Sequence, residues 1–212
     1  MKRFLLFLTV LISLFSCEKE ELPKPLTASP SANTVQVSMG SDYANQLFFE
    51  LSSGTIVAQN NREEWDLGFE CGSEGRHIVL NSSKFMAMSA TDSYDLAAVN
   101  TQTSTTWKYD NAAGKEDSSA FYNWELNRVY IIDRGNTLTG QPIGKVKMQV
   151  TAYSETSYTI RWATIDALDF ATVTMEKDDD YNFIFLSFTT GNSVDIEPPK
   201  TAWDLCFTSY TY

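Results

Sequence analysis

The residues best suited to chemistry are one histidine and two methionines that follow it closely. His77 is the single histidine of the 212-residue chain, and Met86 and Met88 lie shortly after it. An imidazole with two thioethers is a ligand set that suits haem iron or a soft metal such as Cu(I). His77, Met86 and Met88 are therefore the candidate metal-ligating residues.

A β-hairpin is the element expected to position these three side chains. The tetrapeptide Asn81-Ser82-Ser83-Lys84 is typical of a four-residue turn between two apolar strands. Such a turn would oppose Leu80 with Phe85, Val79 with Met86, and His77 with Met88. Opposed Cβ atoms are only about 5 Å apart, which leaves little room for a porphyrin unless one side chain reaches in from a loop. The alternative is an exposed or hydrogen-bonded His77, with both methionines in the core or the pocket wall.

An internal repeat carries most of the information about the fold. Each copy has an apolar strand, a turn of small residues that ends in glycine, a polar link and a W-D-L-x-F strand. The copies run from Leu47 through Gly54 to Phe69 and from Phe183 through Gly191 to Phe207. This arrangement predicts paired elements of one sheet.

The two W-D-L-x-F strands predict an apolar face and one carboxylate on the reverse face. Side chains alternate along a strand, so each copy groups its apolar residues on one face: Trp65, Leu67, Phe69 and Cys71, and Trp203, Leu205 and Phe207. Asp66 and Asp204 point the other way. An aspartate inside a strand is disfavoured unless its oxygens accept hydrogen bonds, so we expect both to bind the backbone of a neighbouring loop. A catalytic role is disfavoured because no histidine or third partner accompanies either copy.

The remainder of the chain predicts an all-β fold, mostly antiparallel, with few short helices. Short aromatic or β-branched segments separated by turn formers occur at 35–39, 46–51, 64–71, 76–80, 85–89, 128–133, 145–153, 158–164, 172–177, 183–188 and 202–207. Short helices are expected at 94–99 and 121–126, on either side of a long polar loop at 110–119.

The N-terminus predicts a lipid anchor. Residues 1–17 contain a basic start, an apolar stretch too short to span a bilayer, and Ser16 directly before Cys17, as in a bacterial lipoprotein signal with its lipobox. Residues 18–33 form an acidic and then Pro/Ser-rich linker, and residues 34–212 form a single β domain. The acidic run after Cys17 resembles the export signal of Bacteroidetes lipoproteins, which predicts an outer-membrane protein facing the cell exterior. A generic cleaved signal and a solvated tether are the alternatives.

Charge and missing motifs exclude several classes of function. The chain has 16 basic and 27 acidic residues and a net charge of −11, which argues against nucleic acid and against charge-driven binding to anionic lipid. Membrane attachment must then come from the lipid on Cys17. No catalytic or phosphate-binding signature occurs, so we expect no enzyme activity. The acidic run 176–180 is interpreted as a solvated turn rather than a calcium loop, and Cys71 and Cys206 as either a disulfide or two free thiols.

Several segments in order resemble the HmuY family of Bacteroidetes haem-binding lipoproteins. They are the lipoprotein start, the unit from Gly54 to Phe69, the segments 128–135 and 144–148, the strand from Tyr158 to Ala163, and the closing Trp203 to Thr208. The resemblance covers the chain from roughly Thr34 to Tyr212. Because the chain stops in an aromatic strand, we expect it to be slightly truncated at its C-terminus relative to that family.

The resemblance implies a surface protein that takes up haem in a cleft between loops and passes it to an outer-membrane transporter. Haem capture needs axial donors on a slot with apolar walls, and His77, Met86 and Met88 are the candidates. A site of two histidines within the given 212 residues is excluded because His77 is the single histidine among them. The alternative is a ligand- or partner-binding surface lipoprotein on the same scaffold that binds no haem.

Overall fold

The computed structural model describes residues 34–101 and 106–211, and twelve β-strands lie within them. The strands are β1 (Asn45–Glu50), β2 (Thr55–Asn61), β3 (Leu67–Glu70), β4 (Ile78–Leu80), β5 (Ala87–Ala90), β6 (Tyr130–Asp133), β7 (Lys145–Tyr153), β8 (Ser157–Thr164), β9 (Ala171–Glu176), β10 (Phe183–Ser187), β11 (Asn192–Val194) and β12 (Leu205–Phe207). Every ladder is antiparallel, and the helical residues are three 3₁₀ turns at Ser41–Tyr43, Ser82–Lys84 and Glu116–Ser118. The predicted all-β, mostly antiparallel fold is confirmed.

The strands form three sheets. Their orders are β12-β1-β2, β11-β10-β3-β4 and β5-β6-β7-β8-β9. The main core fills the space between the four-stranded and five-stranded sheets. It combines Leu67, Phe69, Ile78 and Leu186 from the first of these with Ile132, Met148, Val150 and Ile160 from the second. A second, smaller core of Phe48, Trp65, Phe185 and Ile196 joins the three-stranded and four-stranded sheets.

The two repeat units exchange their last strands. The hairpin β1-β2 of the first unit pairs with β12 of the second, and the hairpin β10-β11 of the second unit pairs with β3 of the first. The registers are equivalent, because Phe48 opposes Cys206 as Phe185 opposes Gly68. The expectation that both units pair within one sheet is wrong. They build two sheets, each with strands from both units.

The two hairpin turns are also equivalent. Gly54 and Gly191 adopt φ angles of 69° and 75°, a left-handed conformation that glycine adopts without steric cost. Their amides donate to the carbonyl oxygens of Glu50 at 3.0 Å and Ser187 at 2.8 Å. The small-residue turn of the repeat therefore closes each hairpin.

The aspartates of the repeat hold the exchanged strands in place. The Asp66 carboxylate accepts the backbone N–H of Phe188 at 2.7 Å, and the Asp204 carboxylate accepts that of Leu51 at 2.7 Å. The aspartate backbone amides donate to Leu186 O at 2.8 Å and to Phe49 O at 2.9 Å. The prediction that each aspartate binds a neighbouring backbone is confirmed.

The predicted hairpin between β4 and β5 is wrong. β4 pairs with β3 in the four-stranded sheet, whereas β5 pairs with β6 in the five-stranded sheet. The Asn81 side chain accepts the Ser83 N–H at 3.2 Å and begins a 3₁₀ turn, and Phe85 after it has φ of 62°. This turn sends the chain from one sheet to the other, so Val79 does not face Met86 and His77 does not face Met88.

Three smaller expectations also differ from the structure. Residues 35–39 form no strand, and 94–99 and 121–126 contain turns rather than helices. Leu96, Phe121 and Trp124 are buried, so these segments are fixed by apolar side chains without a complete helical turn.

The signal segment, Cys17 and the linker lie outside the described residues. In the part of the chain that the structure describes, no helix has the length and apolarity needed to cross a membrane.

Candidate functional site

An apolar cleft opens where the repeat units meet. It has a volume of about 320 Å³. Its aromatic walls come from β1, from β10 and from the residues that precede β3 and β12: Phe48, Trp65, Phe183, Phe185 and Trp203. We call it the aromatic cleft. Residues of the loop around Asp110 and of the final segment around Tyr210 form its rim.

The walls of the aromatic cleft are arranged in two equivalent ring pairs. Phe48 packs edge-on against Trp203 and Phe185 packs edge-on against Trp65, each with 4.9 Å between ring centroids. The Trp65 indole N–H donates to Gln46 Oε1 at 3.0 Å. The buried Trp203 indole N–H has no hydrogen-bond partner among the described residues. Each repeat unit therefore supplies one ring to each pair. The Trp203 N–H remains a hydrogen-bond donor at the wall with no partner among the described residues.

Gly68 allows the wall of the four-stranded sheet to pack closely. A Cβ at this position would lie 2.9 Å from Val79 Cγ2, so that side chain would have to shift, and 3.2 Å from Phe185 Cε1, which is a tight contact. Cys206 occupies the equivalent position in the second unit and lines the cleft itself. The second unit therefore places a thiol at the cleft where the first unit has a glycine that packs against Val79 and Phe185.

The rim loop is tied to the sheet by Asp110. Its carboxylate accepts the backbone N–H of Leu80 at 2.6 Å and that of Ala120 at 2.8 Å. Burial raises the pKa of the Asp110 carboxyl, while the two amide bonds oppose that rise. The Tyr210 hydroxyl donates to Asp110 O at 2.7 Å, so the final segment and the loop meet over the cleft.

His77 lies beside the aromatic cleft, on the cleft side of its sheet. Ile78 and Leu80 are in the main core, so His77 and Val79 point to the opposite face. The His77 ring centroid is 6.1 Å from that of Phe183, a wall residue. Its Nε2 is buried and has no hydrogen-bond partner among the described residues. A ligand could reach this nitrogen only if the side chains that bury it moved.

The space at His77 itself is small. His77 lines a cavity of about 100 Å³ with Arg76, Phe121 and Trp124. Typical small-molecule pockets measure about 300 to 1,000 Å³, so this cavity is too small for a porphyrin, whereas the aromatic cleft falls within the range.

The structure separates the two methionines from His77. Met86 and Met88 are each 2% exposed and pack in the main core, and Met88 opposes Ile132 across the β5-β6 ladder. The sequence placed all three side chains on one hairpin face, and that geometry does not occur because β4 and β5 belong to different sheets. Either thioether could reach a ligand only if the core opened.

Two further side chains at the cleft that could bind iron were not predicted from the sequence. The Cys206 thiol accepts from Gln46 Nε2 at 3.3 Å, and Tyr210 lies at the rim. Thiolate and phenolate are both known haem ligand types. The signal for Cys206 was present in the repeat, because it falls where the first unit has Gly68. Cys71 and Cys206 are both free thiols, one buried and one exposed, so no disulfide joins them.

Asp66 differs from Asp204 in its surroundings. Asp66 is fully buried and its carboxylate binds Lys84 Nζ at 2.5 Å and Arg134 Nη2 at 3.0 Å. Burial lowers the pKa of the Lys84 ammonium, and the attraction of Asp66 opposes that effect. This buried ion cluster links the four-stranded sheet to the 3₁₀ turn and to the end of β6. Asp204 is exposed and makes no ion pair among the described residues.

Within the described ranges, no group of three or more His, Cys, Asp or Glu side chains is placed to hold a metal ion. A family model described as HmuY protein matches residues 42–178, more than half of the chain. No curated protein matches the chain, and no solved structure does.

Proposed function

The chain belongs to the HmuY family, and on that premise we propose that it is a non-enzymatic surface lipoprotein that binds haem for iron acquisition. The observation that carries the proposal is the aromatic cleft, an apolar opening of about 320 Å³ that the folded repeat creates in a member of this family. Aromatic walls suit a flat apolar ligand because they bury large ring surfaces with few polar groups to desolvate.

The residues of the aromatic cleft fit a haem, because its walls are aromatic and few protein side chains near it could bind iron. Phe48, Phe185 and Trp203 would contact the porphyrin faces and exclude water. His77 would be the favoured donor to the iron, because its buried Nε2 has no hydrogen-bond partner among the described residues and its ring lies beside the wall residue Phe183. When bound, haem supplies an iron centre that accepts nitrogen, sulfur or phenolate ligands.

A second candidate is a metal-independent apolar ligand in the same cleft. It is favoured by the burial of Met86 and Met88 and by the position of His77 beside the cleft rather than in it. The two functions differ in whether iron contributes to affinity.

Titration with haem and with metal-free protoporphyrin separates the two candidates. For a haem protein, wild type gives a shifted Soret band, binds haem more tightly than protoporphyrin, and loses that preference in His77→Ala. Met88→Leu is the matched control, because a volume-conserving change in the core leaves the cleft intact. Equal affinity for both porphyrins in wild type and His77→Ala would support the metal-independent ligand instead.

Location and delivery complete the proposal. A lipid on Cys17 would hold the domain at the outer face of the outer membrane, where captured haem can pass to a transporter. The support is the lipobox-like sequence that ends at Cys17 and the acidic run after it.

A further inference from the structure

Two unpaired sheet edges line one groove. β9 is the last strand of the five-stranded sheet and β11 is the last strand of the four-stranded sheet. Cα atoms of the two strands approach within 8 Å, but no ladder joins them. A groove of about 410 Å³ lies between them, with an apolar floor that includes Phe183, Phe185 and Ile196.

The backbone groups that face the groove follow from the hydrogen-bond alternation. Lys177 N donates to Thr156 O at 2.8 Å, which makes them a bonded pair in register with the β8-β9 ladder. Bonded pairs alternate along an antiparallel ladder, so the N–H and C=O groups of Thr172, Thr174 and Glu176 point away from β8. Thr174 and Glu176 line the groove, and Thr172 does not.

The same argument applies to β11. Cys71 N donates to Asn182 O at 2.8 Å, in register with the β10-β3 ladder, so alternate residues of β10 bond β3 and the others bond β11. Phe185 therefore bonds Val194, and the backbone groups of Ser193 and Asp195 point outward. Both of these residues line the groove.

The β9 edge lacks the usual protection against pairing. Natural edge strands carry lysine, proline or a bulge that prevents another strand from adding. The sequence Ala171–Glu176 contains neither residue, and its register with β8 has no shift. This edge can therefore accept a further strand.

The negative charge at the groove favours a basic ligand. Glu176, Asp178 and Asp195 are exposed at the groove, and none of them forms an ion pair among the described residues. The neighbouring Lys177 turns away, since its Nζ donates to the carbonyl oxygens of Gly72 and Gly75, both at 2.9 Å. A chain segment that enters meets negative charge above an apolar floor.

We propose that the groove between β9 and β11 binds an extended basic segment of a partner protein, which adds to the β9 edge as a strand. Main-chain bonds to Thr174 and Glu176 would supply affinity in the manner of strand addition, and alternating basic and apolar side chains would match the rim and floor. This inference goes beyond haem binding and does not depend on it.

The test measures binding of a fluorescent peptide of about ten residues, a length within the usual range of strands, with alternating lysine and valine. Fluorescence anisotropy with the whole protein is expected to show saturable binding, and a matched peptide of glutamate and valine is expected not to bind. Thr174→Pro removes an N–H that faces the groove without removing a β8 ladder bond, so we expect about a tenfold or greater loss of affinity. Thr172→Pro changes an outward N–H outside the groove and should weaken binding less than Thr174→Pro does.

Two further variants distinguish the loss of the backbone N–H from the loss of a side-chain contact or of stability. Thr174→Val removes the 3.1 Å contact between the Thr174 and Thr159 hydroxyls but keeps the backbone N–H, so it should bind normally. If Thr174→Pro melts well below Thr172→Pro, the exposed Asp195→Lys replaces it and should also weaken binding. The proposal is overturned if the lysine peptide does not bind, if neither Thr174→Pro nor Asp195→Lys weakens it, or if free spermidine displaces it fully at matched charge concentration.

Discussion

The two aspartates of the repeat provide a matched pair for measuring what a buried ion cluster contributes to stability. Both accept a backbone N–H at 2.7 Å from the opposite repeat unit. Only Asp66 is buried with Lys84 and Arg134. The substitutions Asp66→Asn and Asp204→Asn therefore change the same residue type at equivalent positions with different surroundings.

The expected losses differ because of what each change leaves behind. Asp66→Asn leaves the Lys84 ammonium, which is 2% exposed, without its carboxylate. Removing one partner of a buried ion pair costs about 3 to 5 kcal/mol of unfolding free energy. Asp204→Asn weakens one hydrogen bond at the surface, which contributes about 0.5 to 1.5 kcal/mol.

Urea denaturation followed by tryptophan fluorescence measures both losses on one scale. The free energies can be compared directly if the urea dependence, the m-value, is unchanged between variants. Replacing both charges, in Asp66→Asn with Lys84→Met, should recover part of the loss because no unpaired ammonium remains. Equal losses for Asp66→Asn and Asp204→Asn would refute the assigned role of the ion cluster.

Three further predictions concern pH, the core and the anchor. Burial raises the pKa of Tyr158, whose hydroxyl donates to Gly75 O at 2.8 Å, so this side chain ionises in the unfolded chain near its ordinary pKa of 10.0, before it ionises in the folded protein. The free energy of unfolding should therefore fall as pH rises through about 10 to 12. In alkaline melts, a Tyr158→Phe variant whose stability falls as steeply as that of wild type would contradict this. Trp65→Ala should lower the free energy of unfolding by about 3 to 5 kcal/mol, and Trp203→Ala should lower it less, because Trp65 is 8% exposed and Trp203 is half-buried. A larger loss for Trp203→Ala than for Trp65→Ala in urea denaturation would contradict the packing. Cys17→Ser should abolish incorporation of a fatty-acid probe and release the protein from the outer-membrane fraction, and continued labelling would exclude Cys17 as the anchor.

The sequence predicted local features of the fold well, because strand alternation and turn chemistry are local. The apolar strands, the glycine turns at Gly54 and Gly191 and the backbone-binding role of Asp66 and Asp204 all followed from the repeat. Strand exchange between the units did not follow, because the same alternation suits pairing within a unit or between units. Only the three-dimensional register distinguishes these pairings.

The candidate site was predicted less completely for the same reason. A turn at 81–84 was correctly expected, but the sequence does not show that Phe85 takes a left-handed conformation and leads β5 to another sheet. That one turn moved Met86 and Met88 away from His77. The cleft walls Phe48 and Phe185 were visible as equivalent residues of the repeat, but their meeting depends on the exchanged strands.

The central claim, that the aromatic cleft binds haem, is tested most directly by haem titration of a variant with a blocked cleft. Thr208 is exposed and lines the cleft, whereas Thr201 is exposed outside it. Wild type and the control Thr201→Trp should show the same saturable Soret shift. Thr208→Trp should bind about tenfold more weakly or not at all, with an unchanged melting temperature. The absence of a haem spectrum in wild type, or equal affinity in Thr208→Trp, would contradict the account.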